Sequence, residues 1–98
     1  MIVVDADVRF RRSDLALSRR VGTEVLVTTP ADREVHELSG GAMAVWADLE
    51  VPRTLEELVA GLAGAHGTPP EEIRDDVEAC LLALMACGVV EEVGGLHG

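Results

Sequence analysis

The chain has 98 residues, a formal charge of −10, no lysine, and only Phe10 and Trp46 as aromatic residues. That length makes one domain with a modest, aliphatic core, and an apolar content of 48% sets it apart from disordered chains. Residues 34–98 carry thirteen acids against Arg53 and Arg74, a local charge of −11, whereas residues 1–33 hold six of the eight arginines; the larger part repels phosphate, attracts cationic ligands and otherwise serves solubility.

Residues 1–14 show no clean period and read as a flexible lead-in. Asp5 and Asp7 stand where a signal peptide needs apolar residues. The longest apolar run, Ala79–Val90, is too short to span a bilayer, so a cytoplasmic chain with no membrane contact is expected. There Cys80 and Cys87 stay reduced. On one helix they would lie about 10 Å apart along the axis, too far for a disulfide.

Strand signals follow the lead-in. Leu15, Leu17 and Val21 alternate with polar or small neighbours up to Gly22. Glu24–Thr29 is rich in β-branched residues. Pro30-Ala31-Asp32-Arg33 is a turn signal, and Glu34–Leu38 reads as a short polar third strand at an edge. Ser39 has the chemistry of an N-cap for a helix over Gly40–Leu49, weakened at its start by Gly40-Gly41. Ala42, Val45, Trp46 and Leu49 form one apolar stripe on it. Thr54 and Glu57 make a capping box for a helix that runs to about His66, with Gly67 as its left-handed stop. Thr68–Glu71 reads as a second capping box, with Pro69 at the first helical position. The core positions of that third helix are Ile73, Val77, Cys80, Leu84 and Cys87. Gly88 ends it, Val89–Val93 adds an extended piece, and residues 94–98 form a tail. The expected fold is therefore α+β: a three-stranded antiparallel sheet followed by three helices gathered on one face. From Cys80 to Cys87 the third helix is apolar all round, which means either a central position or an apolar flank open to a partner.

No catalytic or metal constellation is legible. His36, His66 and His97 lie in a strand, at a helix end and in the tail, without ligand spacing. Cys80 and Cys87 read as core, and Trp46 as a core anchor. The acids from Glu71 to Glu78 mostly follow the charge preference of a helix start. No cofactor, no metal and no enzymatic activity are expected.

The order and spacing of several segments carry a resemblance: His36-Glu37-Leu38-Ser39, a small-residue helix with Val45-Trp46, Arg53-Thr54-Leu55-Glu56-Glu57-Leu58-Val59, Pro70 to Val77, then Leu84 and Gly88-Val89-Val90-Glu91. Over residues 15–93 the chain resembles the PqqD family and the wider class of recognition domains serving ribosomally made, post-translationally modified peptides. One departure is Ser39-Gly40-Gly41, where the family often has Asn followed by bulkier residues. The resemblance implies a winged-helix-like fold. It also implies a non-catalytic role: binding the leader segment of a precursor peptide and presenting it to a separate modifying enzyme, whether a radical SAM enzyme, leader protease, cyclase or dehydratase. The leader would add as a strand along Glu34, Val35, His36, Glu37 and Leu38. Its side chains would enter a groove walled by Asp76, Ala79, Cys80 and Ala83, which share one flank of the third helix. The protein would be a monomer or a dimer joined at that edge. The competing expectation is a winged-helix DNA-binding regulator. Its recognition helix should carry basic or amide side chains, yet Gly40–Leu49 has no basic residue and the third helix has only Arg74 among five acids.

Overall fold

In the computed structural model, which describes residues 8–29 and 34–93, the chain forms β1 (Arg9–Arg12), β2 (Leu17–Val21), β3 (Glu24–Thr28), β4 (His36–Leu38), α1 (Gly40–Asp48), β5 (Arg53–Thr54), α2 (Leu55–His66), α3 (Pro70–Ala86) and β6 (Val90–Val93). The β-branched run of β3 lies at the centre of an antiparallel sheet in the order β2-β3-β4. Gly22, at φ 63°, turns the chain between β2 and β3, a backbone angle that glycine adopts without strain. The expected turn at residues 30–33 lies outside the described residues.

Residues opposite each other across an antiparallel pair point to the same side of the sheet. Ser18, Val27 and His36 form one such row, and Arg20, Val25 and Leu38 the next. Val27 and Leu38 are buried, so these rows face the helices. The alternate rows, with Leu17, Arg19, Val21, Leu26 and Glu37, therefore face away from them. The apolar alternation of β2 thus marks its outer side.

A second antiparallel sheet, β5-β1-β6, was not expected from the sequence. Residues 9–12 of the supposed lead-in are its central strand, and Phe10 is buried in the core. The strand is cryptic because three of its four residues are arginine, which leaves no apolar alternation. Its partners also arrive from far along the chain: Arg9 pairs with Thr54 and with Val93. Arg11 bonds Glu91 of β6 at 2.8 Å. The extended piece after Gly88 finds its purpose here as β6.

This sheet also finishes α1. The helix has no basic residue in its last turn. Arg12 supplies one from β1: Nη2 and Nε donate to the Trp46 carbonyl at 2.8 and 3.0 Å, and the guanidinium lies 4.5 Å from the centre of the Trp46 ring. Arg53 of β5 donates to the Asp48 carbonyl at 2.6 Å. The Trp46 carbonyl also accepts from the Leu49 amide at 3.1 Å, so Arg12 adds charge-assisted donors to a last-turn carbonyl, and a cation there opposes the negative end of the dipole. Replacing Arg12 by alanine removes charge-assisted bonds and the ring contact together. It is expected to cost about 2 kcal/mol, to be read from urea unfolding; a loss under about 0.5 kcal/mol, the range of an ordinary surface change, would show that Arg12 is ornamental.

The capping box of α2 is present as expected. Glu57 N–H donates to Thr54 Oγ1 at 3.1 Å, and Thr54 N–H to Glu57 Oε1 at 2.8 Å. Gly67 closes the helix in the left-handed region. The second capping box does not form. α3 begins at Pro70, with Pro69 before it in an extended conformation and no side-chain cap. The physical reason is Pro70 itself, whose ring disfavours helical geometry at the preceding residue. Thr68 donates instead to the His66 carbonyl at 3.4 Å.

The helices pack against one another, α3 against both α1 and α2. Val45, Trp46 and Leu49 of α1 are buried, as is most of the apolar stripe of α2. On α3 the buried positions are Val77, Leu81 and Leu84. Leu81, absent from the expected core positions, is fully buried, whereas Ile73, Cys80 and Cys87 lie at the margin of the core. A straight helix buries one side, and the stripe Val77-Leu81-Leu84 places Cys80 on its shoulder. Cys80 and Cys87 are both free thiols. Among the described residues no helix is long and apolar enough to cross a membrane.

Candidate functional site

Among the described residues β4 pairs with β3 and forms one edge of its sheet. Its regular part is shorter than expected, His36–Leu38 instead of Glu34–Leu38. The Thr28 hydroxyl donates to the Glu34 carbonyl at 3.1 Å, so a side-chain bond links the chain where the ladder has ended. Leu38 is anchored in the core, His36 is half-buried, and Glu37 and Val35 are exposed.

The chain then passes from Leu38 through Ser39 directly into α1. Ser39 is extended and makes no side-chain cap. Gly40 turns the chain at φ 58°, and Gly41 brings the first turn of α1 against α3: a Cβ at position 41 would stand 3.1 Å from Cys80 Sγ. The Gly-Gly pair thus has a structural role. One glycine supplies a left-handed turn, and the other permits a close approach.

Where the three helices meet they leave a cleft of about 150 Å³. Gly41 and Ala44 of α1, Leu62 and His66 of α2, and Ile73, Asp76 and Cys80 of α3 line it. It is apolar at its base, with Asp76 and His66 as the polar groups of its wall. Of the residues expected to bind peptide, Asp76 and Cys80 come together here. Ala79 and Ala83 do not line the cleft but are exposed on the same side of α3. None of the residues from Glu34 to Leu38 lines it; they approach through the first turn of α1. Sequence reasoning missed Gly41, Ala44, Leu62, His66 and Ile73. Their signal was small size at Gly41 and Ala44, which leaves a hollow only when a second helix lies opposite.

Burial, helped by the nearby charge of Asp76, pushes the Cys80 thiol above its ordinary value, so it stays protonated and is a poor nucleophile. Among the described residues no group of three or more His, Cys, Asp or Glu side chains is placed to hold a metal ion. His97 lies outside them.

The family described as coenzyme PQQ synthesis protein D (PqqD) matches residues 24–90, more than half of the chain. Among solved structures the fold is similar to TbiB1 in complex with the TbiA(beta) leader peptide: the TM-score is 0.71 at 20% identity, covering 90% of this chain and 99% of that one. It is also similar to the PqqD truncation of Methylobacterium extorquens PqqCD, solved in solution and described as a functional, stand-alone recognition element for ribosomally synthesised and post-translationally modified peptides. There the TM-score is 0.67 at 19% identity, covering 85% and 88% of the two chains. No curated protein matches.

Proposed function

The chain belongs to the PqqD family, and from that premise we propose that it binds the leader segment of a ribosomally made precursor peptide and presents it to a separate modifying enzyme, with no chemistry of its own. The observation that carries this reading is the continuity of an edge strand with an apolar cleft. β4 offers main-chain bonding groups along one edge of its sheet. Within a few residues the same chain lines the cleft between α1 and α3. An added strand gains affinity from main-chain hydrogen bonds that tolerate sequence, and selectivity from side chains seated in apolar hollows. The expected site comprises Glu34, Val35, His36, Glu37 and Leu38 along the edge and Asp76, Ala79, Cys80 and Ala83 along α3, now with Gly41 and Ala44 at the cleft mouth. Asp76 suits a basic residue of the leader. Holding the leader raises the effective concentration of the attached core peptide at the enzyme's active site. A radical SAM enzyme, leader protease, cyclase or dehydratase would each fit that division of labour.

The DNA-binding alternative has little support. α3 bears Glu71, Glu72, Asp75, Asp76 and Glu78, and its one cation, Arg74, pairs with Glu56 of α2. Such a helix repels phosphate.

The test is a calorimetric titration with synthetic leaders of short precursors encoded beside this gene. Ala83 is exposed on α3, so Ala83→Glu should leave the fold intact, as checked by thermal melting. The added bulk and negative charge should weaken leader binding more than tenfold, about 1.4 kcal/mol. Unchanged affinity in the folded variant would move the groove elsewhere, and no binding by the parent to any such leader would sink the reading.

A further inference from the structure

We propose that the outer face of the β2-β3-β4 sheet is a self-complementary interface for a second copy of this chain. Among the described residues, four of the five exposed large apolar side chains, Leu15, Leu17, Val21 and Val35, lie on this sheet or beside its strands, with Leu17 66% and Val35 61% exposed. The pairing register orders the face into rows. Arg19, Leu26 and Glu37 form one row across the three strands, a cation, an apolar side chain and an anion. Leu17 and Thr28 pair in the next row, and the exposed Val35 precedes β4 without pairing to it. Neither Arg19 nor Glu37 belongs to an ion pair among the described residues.

The Arg19-Leu26-Glu37 row is its own complement. Two sheets packed face to face lie about 10 Å apart with strands nearly aligned. A twofold axis parallel to the strands lays β2 of one copy over β4 of the other. Arg19 then meets Glu37 twice, and Leu26 meets Leu26 at the centre. The other arrangements lack this match. A twofold axis across the strands, or an edge-to-edge pairing of two β2 strands centred on Arg19, sets arginine against arginine, which is unfavourable directly across a pair. The face is three strands wide and, along β2 and β3, five residues long, about 14 by 17 Å at most. That is well below the roughly 800 Å² per partner of a standard interface, so the dimer is weak and reversible. It does not use the lateral edge of β4 and does not depend on the peptide-binding reading.

Sedimentation equilibrium of the parent over a wide concentration range should show a monomer–dimer equilibrium. Arg19→Glu and Glu37→Arg, each on its own, should weaken dimerisation at least tenfold, while far-UV circular dichroism stays unchanged. An equimolar mixture of the two single variants should dimerise again, because one chain then presents two acids on this face and the other two bases. A parent that remains monomeric throughout overturns the proposal. So does a single variant that dimerises like the parent, which would indicate pairing through one edge alone, or a mixture that fails to recover. No peptide is present in the assay, so its outcome is separate from that of leader binding.

Discussion

Replacing Leu81 by alanine is expected to destabilise the protein by about 3 kcal/mol, the middle of the range for truncating a buried leucine. Leu81 has no exposed surface, and its helix packs against both others, so the loss empties the centre of the three-helix layer. In a chain of this size the melting temperature should fall by more than about 12 °C. The control is Leu82→Ala on the neighbouring, half-buried position, which should cost clearly less. Equal losses at the two positions would mean that α3 is rotated from the orientation described.

Proline at the sheet edge is expected to separate folding from binding. Successive amides along a strand face opposite directions in the plane of the sheet, so one of the amides of His36 and Glu37 faces β3 and the other faces away. Proline removes the amide hydrogen and is tolerated on edges only where that hydrogen serves no ladder bond. Of His36→Pro and Glu37→Pro, one should melt well below the parent, because it breaks the bonding of β4 to β3. The other should stay folded yet bind leader at least tenfold more weakly, about 1.4 kcal/mol, by deleting a main-chain bond to the added strand. Melting curves sort the pair, and a leader titration tests the survivor. Parent-like affinity in the folded proline variant would exclude strand addition at this edge.

Local chemistry made part of the protein legible in one dimension. The β-branched run at Glu24–Thr28, the Thr54/Glu57 capping box, the glycine stop at Gly67 and the apolar stripe of α1 each depend on residues within one or two turns of each other. Short-range patterns of that kind survive folding because the bonds they announce are local. The order of these elements was enough to place the chain in its family. The start of α3 was misread although the information was local: the capping pattern at Thr68–Glu71 suggested one boundary, and the second proline, which governs the residue before it, imposed another.

The tertiary structure decided the rest, and each case has the same cause. β1 is a strand because β5 and β6 come to it from distant parts of the chain, and Arg11 and Arg12, in the segment expected to be a flexible lead-in, bond β6 and α1. The apolar alternation of β2 fixed that Leu17 and Val21 share a side but not which side; only the position of the helices turned that side outward. Leu81 took the centre of the core from Cys80 because the rotation of a helix that is apolar all round is set by its neighbours and not by its own pattern. The cleft required small residues on α1 to lie opposite α3, and Gly41 shows its use only beside Cys80. Sequence determined which segments could pair and pack. Which of their sides met, and what hollow was left between them, followed from contacts between residues far apart in the chain.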